Sequence, residues 1–246
     1  MPVVRTSRIA GRGARLTGVL TLLGRCLALG ASLALSGCVT PVPVAEQAIK
    51  PTYVGTRPII VSVVDSRPEL KEGKPPNFIG RMHLAFGIPA DMLVYPIISE
   101  DKADKQQSLA AALEKRIVQG FSTQGWQAQA AGLQAAPDAD QRTQLFAAGP
   151  ADRLLVITLT RWFASINTNW VTGFNFDWGV RMQVYDRQGA VLADYTDEGR
   201  DVVDAQYDQS YGNMLRLAYK DRLTKILEDT RVRTALASGG TGAGNP

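Results

Sequence analysis

Alternation of apolar and polar positions is sharpest between Phe174 and Tyr185. There Phe174, Phe176, Trp178, Val180, Met182 and Val184 interleave with Asn175, Asp177, Gly179, Arg181 and Gln183. A period of two predicts a strand with one buried and one wet face. Asp186-Arg187-Gln188-Gly189 predicts a hairpin turn and Val191–Val202 the returning strand. Leu154–Phe163 is a further strand, and the β-branched run Pro58–Asp65 reads as a buried one. The latter stops at Asp65-Ser66-Arg67-Pro68, a turn-forming cluster. Asn77–Gly80, Met92–Ile98 and Trp126–Ala130 predict shorter strands, Met92–Ile98 at a sheet edge.

The helical period appears twice. Leu109, Leu113, Ile117 and Phe121, with Ala112 beside them, form one stripe within Ala103–Thr123. Asp101 and Asp104 suit its positive N-terminal end, and Gly125 closes it. Tyr211, Leu215, Tyr219 and Leu223 form the second stripe, within Asp208–Asp229. Asp138–Ala148 predicts a short third helix. The order of elements predicts an α+β fold: one mostly antiparallel sheet with two main helices packed on one face.

Composition changes the picture chiefly through its distribution. The 246 residues carry 27 Lys plus Arg against 23 Asp plus Glu, a net charge of +4. Arg5, Arg8, Arg12, Arg15 and Arg25 all precede residue 38, with no acid among them. The remainder holds 22 basic and 23 acidic residues, so the basic balance belongs to the leader and nucleic acid is not an expected partner. Residues 1–37 have the layout of a secretory signal: an arginine-rich start, then the apolar stretches Leu16–Gly24 and Cys26–Gly37. Neither stretch approaches the roughly 20 residues of a spanning helix.

The leader ends in Leu35-Ser36-Gly37-Cys38. This resembles the bacterial lipobox, in which an apolar and two small residues precede the cysteine that receives diacylglycerol. The resemblance implies cleavage before Cys38 and acyl chains on it, each buried methylene contributing about 0.8 kcal/mol to anchoring. Val39 at the next position, by analogy with enterobacterial sorting, implies the outer membrane and a domain facing the periplasm. After such cleavage one cysteine remains, so no intramolecular disulfide forms and a core must hold the fold. The domain layout expected is a signal at 1–37, a proline-bearing tether at 38–56, one α+β periplasmic domain at 57–236, and a flexible Gly-rich tail at 237–246.

Three features together resemble the YajG-like family of bacterial lipoproteins. These are the lipobox with its tether, the strand end Val63-Val64-Asp65-Ser66-Arg67 with Ile79-Gly80 soon after, and the helix end Gln124-Gly125-Trp126. The resemblance covers the layout of residues 35–230 and leaves Met82–Ser99 and the aromatic strand unmatched. It implies a single α+β domain in the envelope, and no activity. Some envelope proteins of related shape are accessory parts of secretion or transport machinery.

Four residues are interaction candidates. Asp65 and Arg67 end a buried strand, as a partner contact or, in the preferred reading, as local turn chemistry. Trp162 and Trp170 lie at or near the loop 165–173; plain packing is the preferred reading, with a protein or lipid-headgroup surface the alternative if they are exposed. His83, the lone histidine, cannot build a histidine-based metal site. Asp194, Asp197, Glu198, Asp201, Asp204 and Asp208 lack the calcium-loop pattern and read as a solvated strand edge and helix cap. No nucleotide loop, nucleophile elbow or zinc-protease motif is present. The expectation is a lipid-anchored, non-enzymatic envelope lipoprotein, with membrane contact through Cys38, an envelope protein as partner, and no cofactor or metal. The alternatives are a hydrolase using carboxylates such as Asp65 or Asp177, and a small-ligand module with Met82–Ile98 as its lid.

Overall fold

A computed structural model describes residues 40–55, 57–168, 173–205 and 209–237. Leu35, Ser36, Gly37, Cys38 and Trp170 lie outside the described residues. Seven strands form one sheet: β1 (Pro58–Asp65), β2 (Phe78–His83), β3 (Pro89–Leu93), β4 (Gln127–Ala130), β5 (Arg153–Asn167), β6 (Gly173–Asp186) and β7 (Val191–Asp204). Four helices matter to its packing: α1 (Leu109–Thr123), α2 (Ala139–Ala147), α3 (Tyr211–Leu227) and α4 (Thr230–Ala237).

The fold is α+β, and the sheet is mixed where mostly antiparallel pairing was expected. β5, β6 and β7 form an antiparallel meander, and β3 runs antiparallel to β2. β1 is parallel to both β4 and β5, and β2 is parallel to β5. Alternation reveals a strand without revealing its partner's direction. The signal for parallel pairing was the unbroken apolar run of β1, whose six central residues are all buried, as a strand covered on both faces requires.

That double cover adds to the second expectation, of two main helices on one face. Ile59, Val61, Val63, Leu155, Ile157 and Leu159 face the large core under α1, α3 and α4. Ile60, Val64, Leu154, Val156 and Tyr185 face the other way and pack on Phe146 of α2. The main helices do share one face, and α2 covers part of the opposite one. β5 changes phase at a bulge between Leu159 and Arg161, which returns Trp162, Ala164 and Ile166 to the large core. Gly179 lies opposite that bulge, where a Cβ would sit 2.8 Å from the Thr160 hydroxyl.

Several boundaries moved for local reasons. Ser108 caps α1 by accepting from Ala111 N at 3.1 Å, so the preceding Lys102–Gln106 forms a separate 3-10 turn. Val94–Ile97 is a helical turn following β3 where a strand was expected. Asp229 separates α3 from α4, and Leu236 near the domain's expected end is fully buried.

The segment expected to act as a tether is packed onto the domain. Ala48, Ile49 and Tyr53 are buried. Ile49 N donates to the carbonyl of Arg116 at 3.3 Å, and Thr52 N donates to Glu228 at 2.6 Å. The close approach depends on Gly120, where a Cβ would stand 1.8 Å from the Ile49 carbonyl oxygen. Gly120→Ala is expected to cost about 1–3 kcal/mol in urea unfolding, by displacing the segment from α1. Faster amide exchange at Ile49 would accompany the loss.

Candidate interaction site

β1 accompanies β5 only as far as Leu159, and β2 begins pairing at Ala164. Between them the edge of β5 has no strand beside it. Ser66 N donates to the Leu159 carbonyl at 3.0 Å, and Arg67 Nη1 donates to the Trp162 carbonyl at 3.0 Å. The Arg67 guanidinium also grips Asp65, Nε to Oδ1 at 2.8 Å and Nη2 to Oδ2 at 2.7 Å. Its side chain is fully buried, with its charge matched by a nearly buried carboxylate. Asp65 and Arg67 are therefore internal, and a partner cannot touch the guanidinium.

Trp162 is likewise internal, which leaves packing and removes the interaction alternative. It is fully buried, with its ring 4.9 Å from Phe176 and 5.1 Å from Tyr219. The bulge turns it inward. Asp65 and Asp177 are not brought together. Asp65 shares the phase of Ile59, Val61 and Val63 on the helix-covered face, whereas Asp177 alternates with the core residues of β6 and pairs with Arg200.

Two acids of β7, Asp194 and Asp201, are ion-pair partners. Asp201 binds Arg222, whose guanidinium lies 3.9 Å from the Trp178 ring, and Arg181 holds the Asp194 carboxyl below its ordinary value by hydrogen bonding. Charge along this outer strand also discourages edge-to-edge pairing. Asp208 lies outside the described residues. Among the described residues no group of three His, Cys, Asp or Glu side chains converges on a point where a metal could sit. His83 ends β2, and its carbonyl accepts from both the amide and hydroxyl of Thr168.

The most concentrated exposed apolar surface is the β2–β3 hairpin. Seven large hydrophobic residues are exposed among those described, and three of them, Leu84, Phe86 and Ile88, fall within five consecutive positions. Phe86 is 98% exposed and sits at φ 61°. At the hairpin's base Asp91 pairs with Lys74 and Arg81. Met82–Ile98 thus contains an uncharged tip on a charged stem. Its apolar character was legible in the sequence, but its exposure was not.

A buried polar latch, missed in the sequence, fixes the start of the domain. Val42 N donates to Asn213 Oδ1 at 2.9 Å, and Arg216 donates to the same oxygen at 2.9 Å. Gln47 Nε2 donates to the Val42 carbonyl at 2.7 Å, and Gln47 Oε1 accepts from Arg116 Nε at 2.8 Å. Arg116 also donates to the carbonyls of Ala112 and Ile98, while Arg216 reaches Glu100 at 2.9 Å. Burial pushes the Arg116 guanidinium down to about 10. A faint signal existed: Arg116 falls one helical turn after Ala112, on the flank of the apolar stripe.

No family model matches the chain, and no curated protein matches it in sequence. Among solved structures it is similar to a Xanthomonas campestris protein assigned to family DUF330, with 13% identity, 82% of this chain and 93% of that one covered, and a TM-score of 0.41. It is also similar to the lipoprotein GNA1162 of Neisseria meningitidis, with 14% identity, 69% and 97% covered, and a TM-score of 0.28. For a PelC dodecamer structure from Paraburkholderia phytofirmans the values are 14%, 81% and 95%, and 0.34. Likeness at this level assigns neither family nor role.

Two stability experiments follow from the buried groups. Arg67→Met is expected to cost about 3–5 kcal/mol in urea unfolding, because it strands Asp65 and the Trp162 carbonyl. Replacing both partners, as Asp65→Leu with Arg67→Met, is expected to cost less than the single change. Burial also pushes the phenols of Tyr53 and Tyr219 well above the ordinary tyrosine value. Each contributes stability that is fully present below a pH of about 10 and is lost above it, because the unfolded chain releases its proton first. Arg116 acts oppositely, its buried charge becoming less costly as pH rises past about 10. Tyr53→Phe and Tyr219→Phe are therefore expected to flatten the alkaline fall in Tm.

Proposed function

We propose that this chain is a lipid-anchored lipoprotein of the bacterial envelope, held at the outer membrane through Cys38 and facing the periplasm. Its α+β domain acts by contact, without catalysis, with an envelope protein as partner in assembly or transport. The carrying observation is Leu35-Ser36-Gly37-Cys38 at the end of an arginine-led apolar segment. The YajG-like resemblance agrees with that address. Among the described residues no helix is long and apolar enough to cross a membrane.

Growth with radiolabelled palmitate tests the anchor. Label is expected in the processed product, starting at Cys38, and absent from Cys38→Ser, which should retain the leader and run larger. An unlabelled wild-type protein that fractionates free of membranes would overturn the anchor. Crosslinking in intact cells followed by mass spectrometry tests the contact role, with a specific envelope protein as the expected capture.

A further inference from the structure

The start of the domain at Val42 and the β2–β3 hairpin lie at one end of it. β2 ends at His83 beside Asn167, and β7 ends at Asp204 beside Gly173. The β2–β3 turn projects past that level. The first turn of α3 lies there too, since Met214 lines a cleft with Val202 and Val203. Asn213, in that same turn, fixes Val42. Three peptide links, through Val39 and Thr40, join Cys38 to Pro41, a reach of at most about 11 Å. An acylated Cys38 therefore holds this end of the domain close to the bilayer.

Phe86 is hard to explain by folding. A bulky residue at φ 61° bears backbone strain that asparagine or glycine would avoid, and its ring buries almost nothing in return. No acid occurs between Glu72 and Asp91, Lys74 and Arg81 are held by Asp91 at the hairpin's base, and the tip from Leu84 to Ala90 carries no charge. An uncharged tip bearing exposed Leu84, Phe86 and Ile88 enters the headgroup–acyl boundary without burying a charge. Resting on the proposed lipid anchor, we infer that the β2–β3 hairpin is a second membrane contact, inserting Phe86 and Ile88 at the headgroup–acyl boundary.

The test uses the processed, palmitate-labelled protein reconstituted in phosphatidylethanolamine–phosphatidylglycerol vesicles. Phe86→Trp adds an indole reporter, read as the difference from wild type. The expected result is a blue-shifted emission that is lost in vesicles of lipids brominated high on the acyl chain. Phe86→Asn is expected to leave Tm unchanged or raise it. A labelled protein whose introduced indole stays water-exposed and unquenched would overturn the hairpin contact while leaving the anchor standing. So would an indole shielded by a crosslinked protein without lipid quenching, or a lower Tm for Phe86→Asn. Absence of palmitate removes the anchor, and this inference with it.

Discussion

The sheet depends on how the unpaired stretches of two strands are satisfied. β5 has β6 along one edge but two successive partners, β1 and β2, along the other. The break between those partners exposes a backbone carbonyl inside the protein, where an unmet group costs about 1–3 kcal/mol. Arg67 fills it, and Asp65 balances the charge. A second break is treated with the opposite sign. β4 pairs with β1 only to Val61, and beyond it Glu114 of α1 accepts from Val63 N at 2.8 Å and from Gly132 N at 2.9 Å. One buried cation and one buried anion thus stand in for missing strands.

Those patches let a mixed sheet curl without a further strand, and they set where the helices sit. Glu114 ties α1 to β1, and Arg116 on the same helix gathers Gln47 and the carbonyl of Ile98. Through Gln47 the bonding reaches Val42, and Asn213 and Arg216 extend it into α3. The N-terminal segment is in this way continuous with the hydrogen bonding of the core. A pull on the chain at Pro41 is transmitted to α1 and α3 rather than absorbed by a loose linker.

What the sequence made legible follows one physical line. The spacing of Leu109, Leu113, Ile117 and Phe121 and the alternation along β6 report burial, and both stripes lie in the core. Strand direction was less visible, because a parallel and an antiparallel partner bury the same faces. Trp162 was read with a surface alternative because its phase along β5 is reset by a bulge, which depends on the registers of two strands together. Arg116, Arg216 and Gln47 escaped notice because buried ionic groups look like solvated ones until their partners, distant in sequence, are known. For the segment at 41–53, its prolines suggested extension and said nothing about Gly120, whose missing side chain makes room for it.

A short, latched connection also changes what a weak contact can do. Inserting one phenylalanine is worth about 1.5–3 kcal/mol, too little to hold a free protein at a surface. Once an acyl anchor confines the same end of the domain, insertion becomes intramolecular, and its effective concentration is in the millimolar range for short links. The hairpin then need supply orientation and not affinity. Two points at one end fix the tilt of the domain, which turns the charged outer strand β7 and the cover of α2 into surfaces of defined direction. Had residues 41–53 been a free spacer, the same hairpin would compete with every orientation the spacer allows. Under the proposed anchor, the latch around Asn213 and Gln47 is what would give an exposed, strained Phe86 its use.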